Sequence, residues 1–219
     1  MGKNLHSPEA YAIAWIAALS IERAAAIALL DERHDAPQDF EQHPTDANSY
    51  TWGRMSNHNM VIASLPAGSY GTTPAATTAS NLLASLPHIR IGLLVGIGGG
   101  VAQPPHQDVR LGDVVVSQPD RTMGGVIQYD LGKAKSDQTW ERKGSLNTPP
   151  AVLLHAVSAL QAEQLIAASK IPELLQTMWE CNPQMKRVRQ KYPGFVHQGF
   201  ENDRLFKSTH DHVGGDTCD

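Results

Sequence analysis

Two cysteines in 219 residues, Cys181 and Cys218, are too few for a disulfide framework and fit a reducing compartment. Positive charge is also in short supply. Eighteen Lys and Arg against 22 Asp and Glu leave a formal net charge of −4. That balance gives no electrostatic pull towards nucleic acid or acidic membranes. The densest basic run, "KRVRQK" (Lys186–Lys191), reads as a solvated helix face. No apolar stretch reaches the roughly 18–20 residues of a membrane span. Tyr11–Leu30 comes nearest, but Glu22 and Arg23 split it, and Ile21, Ala25, Ala28 and Leu29 then recur at helical spacing. It reads as a buried strand followed by an amphipathic helix, not as a signal segment. No internal repeat is visible. Together these absences point to a cytoplasmic chain that binds neither nucleic acid nor membrane.

What is present has the alternation of an α/β domain. Tyr11–Leu19 predicts a central strand. A helix to about Arg33 follows, with Ser20 as N-cap and Glu22 in its first turn. Tyr50–Met55 and Asn59–Leu65 predict a strand pair joined around "SNHN". Pro74–Leu86 predicts a helix with Pro74 in its first turn. "IRIGLLVGI" is expected as a buried strand, and "LGDVVVSQP" and "GGVIQYDLG" as two more. Ala151–Lys170 predicts a long helix, and Pro172–Tyr192 one or two shorter ones. The expected architecture is a single mixed central sheet flanked by helices. Residues 1–10 read as a loose leader, 11–192 as the domain, and 193–219 as an irregular tail or truncated insertion.

The densest signal is "GIGGG" (Gly96–Gly100) at the end of an apolar run. It is not a dinucleotide fingerprint. Gly96 and Gly98 fit the first two glycines, but Val101 holds the place of the last, and Pro104 and Pro105 prevent a helix from starting. No Gly-Lys-Ser/Thr closes a phosphate loop, and no Gly-x-Ser-x-Gly elbow marks a serine hydrolase. Glycines there let backbone approach a ligand at the carboxyl end of a strand. Three further features are expected at that same edge: "ALSIER" at the end of the first strand, "PAGSYGTTPAA" running from a strand into a helix N-terminus, and Ser117 and Gln118 after "GDVVV". The tail's His210, His212 and Cys218 supply too few ligands for a zinc site, so no metal is expected. No cofactor is implied.

Five ordered blocks, "AIAWIAALSIERAAAIALLDE", "VIASLPAGSYGTTPAATTASNLL", "IRIGLLVGIGGGV", "DVRLGDVVVSQP" and "GGVIQYDLGK", resemble the nucleoside phosphorylase and nucleosidase superfamily. The likeness spans roughly Tyr11–Gln161. It is greatest to a fungal branch found beside nucleotide-binding and ankyrin-repeat signalling modules. The resemblance implies a phosphorylase/hydrolase-like α/β fold and a purine nucleoside or nucleotide as small-molecule ligand. It also implies cleavage of the N-glycosidic bond, and homo-oligomerisation. Glu22 falls where nucleosidases carry the glutamate that positions water. Gly96, Gly98 and Gly99 match the loop lining the ribose and leaving-group pocket, and Gly68, Gly71, Thr72 and Thr73 match the loop before the second helix.

Two departures from that pattern matter. Phosphorylases carry an arginine two residues before the first loop glycine and often a serine after it. Here Leu94 and Ile97 stand there, which favours water over phosphate as nucleophile. The family's later Glu-Met-Glu-like segment and its base-protonating aspartate have no counterpart. Glu201, Asp203 and Asp211 lack the surrounding motif and receive no role. The resemblance therefore leaves two expectations open. One is a nucleosidase-like enzyme module. The other is a catalytically incomplete nucleoside-sensing or interaction module, part of a domain lacking its C-terminal portion.

Overall fold

The computed structural model describes residues 5, 7–103, 105–136, 139–188, 194–197 and 199–203. It is mixed α/β, with a five-stranded mixed sheet flanked by helices. The chain divides into two compact units, Met1–Gly98 with Ser169–Gln184, and Gly99–Ala168 with Met185–Asp219.

The first unit holds β1 (Ile13–Ala17), α1 (Ser20–Ala28), β2 (Glu32–His34), β3 (Thr51–Met55), β4 (His58–Ser64), α2 (Thr72–Ser85), β5 (Ile91–Leu94) and α4 (Ile171–Cys181). Strand order is β2-β3-β4-β1-β5. β1 runs parallel to β4 and β5, while β2 and β3 form antiparallel pairs. β1 is interior, as its unbroken apolar character predicts. Its alternate residues face opposite ways. Ala14 and Ile16 join Trp52, Val61, Ala63 and Leu65 in the core beneath α2, which contributes Leu82, with Leu86 just beyond its end. Ala75 and Ala79 complete that helical stripe. On the other face, buried Met60 and Ile62 lie towards α1. There Gly53 has no room for a Cβ, which would fall 2.6 Å from both Leu30 Cδ1 and the Glu32 carbonyl.

Tyr11, fully buried, packs edge-on against Trp52 and places its hydroxyl 2.7 Å from His34 Nδ1. Burial, reinforced by the Glu32 carboxylate, pushes the phenol from 10.0 up to about 12. The unfolded chain therefore ionises first. Stability is whole below pH 10 and falls as pH rises through the window from 10.0 to about 12. The expected slope approaches about 1.4 kcal/mol per pH unit for this one group. Urea midpoints at pH 9 and pH 11 check it. Tyr11→Phe should flatten the alkaline slope while costing about 1–2 kcal/mol at neutral pH.

The second unit holds β6 (Gly132–Ala134) paired antiparallel with β7 (Trp140–Arg142), and α3 (Ala151–Ile166). Gly132 faces the Trp140 ring so closely that no Cβ would fit.

Several sequence expectations are corrected. The first helix stops at Ala28, and Glu32–His34 becomes a strand, because the outer edge of β3 takes it as a partner. Leu19, not Ser20, is the N-cap. β5 is an edge strand and not a buried one, with Leu94 70% exposed. "LGDVVVSQP" pairs with no strand, and Val115 is 78% exposed. Of "GGVIQYDLG", Ile127 makes an isolated bridge to Ser145, and the glycine at its end, Gly132, opens β6. An apolar run shows a capacity for strand but does not name the partner that strand needs.

Candidate functional site

Because β1, β4 and β5 are parallel, their carboxyl ends share one edge of the sheet. Three connections start there: β1 into α1, β4 through residues 65–71 into α2, and β5 into the glycine loop. This is where open α/β sheets hold ligands.

Glu22 is held at that edge by three hydrogen bonds. It sits at the third position of α1, and the residue is only 8% exposed. Leu19, at the N-cap, has no oxygen with which to cap the helix, so the glutamate does this by reaching back. Its Oε2 accepts the N–H groups of Ala18 at 2.7 Å and Leu19 at 2.8 Å. Its Oε1 accepts the N–H of Ile97 at 2.8 Å. The carboxylate thus ties the end of β1 to the loop after β5, across 75 residues of sequence. A carboxylate has about four lone-pair sites. Three are filled by backbone, which fixes the group's orientation and leaves one site, on Oε1.

Gly96 explains the first glycine of the loop. A Cβ there would lie 2.6 Å from Glu22 Oε1 and 3.0 Å from its carboxyl carbon. Only glycine admits the carboxylate. The backbone at Gly96 and Gly98 needs no positive φ, so close approach rather than conformational freedom is the reason for Gly96. Gly98 has open space where a Cβ would stand. Gly99 belongs to the second unit, as does Gly100, whose Cβ would touch Val109.

The second predicted loop is organised differently. Gly68 (φ 79°) and Gly71 (φ 101°) do adopt the left-handed region, and nothing crowds either one. Gly71 is the N-cap of α2 and supplies no side-chain cap, so the N–H groups of the exposed Thr72 and Thr73 open the helix. Leu94 and Ile97, close to Gly96 in sequence, are 70% and 72% exposed. The structure therefore brings Glu22 and Gly96 into contact, and places Gly68, Gly71, Thr72, Thr73 and Gly98 on connections that leave the same edge.

Two polar groupings escaped the sequence reading. Arg23 crosses the carboxyl edge to reach Ser64, Thr51 and Ser49. Buried Asp46 accepts from the hydroxyls of Tyr50 and Ser85, each at 2.5 Å, and from the Asn48 N–H at 2.9 Å. The Asp46–Asn48 contact is an Asx turn, which "DAN" could have signalled. The Ser85 partner, 39 residues away, had no local signal. This network seats the 35–50 loop against α2, and burial raises the Tyr50 phenol well above its usual range.

Among the described residues, no group of three His, Cys, Asp or Glu could hold a metal ion. His210, His212 and Cys218 lie outside the described residues, as does Asp211. Glu201 and Asp203 lie within them, and Asp203 Oδ2 stands 4.0 Å from Arg110 Nη1 in the second unit. No single helix among the described residues is long and apolar enough to cross a membrane.

The chain is thus a mixed α/β protein with a fixed carboxylate at the carboxyl edge of its sheet. It is similar to a protein of Hyaloscypha variabilis described as a nucleotide-binding leucine-rich repeat (NLR)-like protein, with 43% identity over 160 residues. The match covers 73% of this chain but 16% of that protein, so the chain spans about a sixth of the relative's length. The relative's name agrees with the expected association with nucleotide-binding signalling proteins and says nothing of nucleoside cleavage. No family model matches the chain, and no solved structure matches it.

Proposed function

We propose that the chain is a nucleosidase-like module that hydrolyses the N-glycosidic bond of a purine nucleoside or nucleotide. The observation that supports this most is the orientation of Glu22. Three backbone N–H groups hold the carboxylate, and Oε1 keeps one acceptor site beside Gly96. A group so held orients a water without first reorganising. In the proposed step, water's oxygen bonds to the anomeric carbon as the carbon–nitrogen bond breaks. Glu22 Oε1 accepts one proton from the water, the departing base takes up a proton from solvent, and Glu22 then returns its proton to solvent, giving free base and free sugar. The exposed Leu94 and Ile97 supply apolar contact for sugar or base. Leu94 also leaves that position without a guanidinium for attacking phosphate, which favours hydrolysis.

A second reading is favoured by the likeness to the NLR-like protein, of which this chain matches only a part. In it the same edge binds a nucleoside or nucleotide without cleaving it, as the sensing part of a longer chain. No segment with the family's base-protonating aspartate accompanies Glu22, and such an acid contributes at least ~10²-fold.

Base release from purine nucleosides and nucleotides, measured with and without phosphate, separates the readings. Release without phosphate is expected for hydrolysis. Release only with phosphate would replace hydrolysis by phosphorolysis. Binding without release by the 219-residue chain would select the sensing module.

A further inference from the structure

In the second unit, β6 and β7 pair with each other and with no third strand among the described residues. A two-stranded hairpin is marginal in water, and its outer edges carry unpaired backbone groups. The register fixes which groups these are. The Lys143 N–H donates to the Leu131 carbonyl and the Lys135 N–H to the Thr139 carbonyl, each at 2.9 Å. Residues 131, 133 and 135 therefore turn their backbone towards β7, and Gly132 and Ala134 turn theirs outward. Neither has a bulky side chain of its own to shield the outward N–H and C=O groups.

The two faces of the hairpin differ, because directly opposed residues share a face and neighbours along a strand do not. One face carries Lys133 opposite Glu141, and Lys135 and Lys143 are both ion-paired to that glutamate, at 3.1 and 2.5 Å. Three lysines thus surround one carboxylate. Lys133 forms no ion pair among the described residues. In a chain of net charge −4 this is a local excess of positive charge. The other face carries Ala134 opposite Trp140 and Gly132 opposite Arg142. The Trp140 ring leans diagonally across to Gly132, where a Cβ would lie 2.6 Å from its Cζ2. The glycine seats one side of the ring, yet the residue is still 56% exposed. An aromatic side chain held in this way loses little freedom on binding.

A strand added beside β6 places its side chains alternately on those two faces. Every second one meets Lys133 and Lys135, and those between meet Ala134 and Trp140. A second copy of this chain fits poorly, because its own lysines would stand against these across the new edge. We infer that the β6 edge takes up an extended peptide in which acidic and apolar residues alternate. The acidic side chains answer the lysine face and the apolar ones the tryptophan face, while the peptide backbone bonds to Gly132 and Ala134. Nucleoside chemistry at Glu22 plays no part in it.

The test follows the anisotropy of a fluorescein-labelled peptide of alternating valine and glutamate as the 219-residue chain is added. Saturable binding is expected. The same residues in block order, valines then glutamates, should bind at least tenfold more weakly. Ala134→Pro removes an outward N–H that the hairpin itself does not use, so the hairpin is kept and binding should fall at least tenfold. Lys133→Gln/Lys135→Gln keeps the backbone edge and should weaken binding several-fold, as should added salt. Amide chemical shifts of β6 and β7 check that each variant keeps the hairpin. If Ala134→Pro loses it, Lys133→Gln/Lys135→Gln decides the matter. No saturable binding by wild type, equal binding of the block-ordered peptide, or unchanged binding by the variants overturns the inference. So does self-association of the chain that Ala134→Pro abolishes, since the edge would then belong to a second copy.

Discussion

Replacing Gly96 by alanine is expected to destabilise the first unit by about 2–4 kcal/mol and to lower any base release at least ~10²-fold. The added Cβ would stand 2.6 Å from Glu22 Oε1 and 3.3 Å from Oε2. A side chain free to swing would step aside at little cost. Glu22 is not free, since Ala18, Leu19 and Ile97 hold it. Either the carboxylate leaves those three N–H groups or the loop after β5 moves away from β1. Both outcomes break the link to Ile97. Gly98 is the control, because a Cβ there meets nothing within 4 Å and its φ is not positive. Gly98→Ala should stay within about 0.5 kcal/mol of wild type. Urea unfolding of the two variants gives the comparison. Equal midpoints would show that Glu22 is not fixed against the loop.

That contrast also shows how much the sequence disclosed. "GIGGG" announced a place where backbone comes close to something. It could not say that the something is a glutamate 74 residues earlier, or that only the first glycine needs to be one. Local pattern located β1, β3, β4 and α2 because each carries its own signal: an unbroken apolar run, a turn at "SNHN", a stripe of Ala75, Ala79 and Leu82. It failed where the outcome depends on a partner. Ile91–Leu94 is an unbroken run without polar side chains, like β1, but lies at the sheet's edge, so Gly92 and Leu94 are exposed. Val114–Val116 has strong strand propensity and no strand to join. The Arg23 cluster gathers residues from α1, β4, β3 and the loop before β3. No spacing rule connects positions 23, 49, 51 and 64. Only the register of an antiparallel pair beside a parallel one brings them together.

Glu22 itself is where fold and chemistry can be separated, because two substitutions load them differently. Glu22→Ala removes every acceptor and leaves three backbone N–H groups to water or to nothing. It should cost about 2–4 kcal/mol of stability and abolish base release. Glu22→Gln keeps the size and one carbonyl oxygen. With that oxygen in the place of Oε2, the bonds from Ala18 and Leu19 survive. The amide NH₂ then faces the Ile97 N–H, donor against donor, so one bond is lost. The expected loss of stability is about 1–2 kcal/mol, half or less of that for alanine. Base release should nevertheless fall about 10²–10⁴-fold, because an amide in that position cannot take a proton from water. A glutamine variant with near-normal release would remove Glu22 from the chemistry and leave it as the clasp between β1 and the glycine loop. A glutamine variant that binds nucleoside as wild type does but releases no base would locate the lost function at the proton acceptor. The remaining structure would then be the scaffold that holds one free lone pair in place.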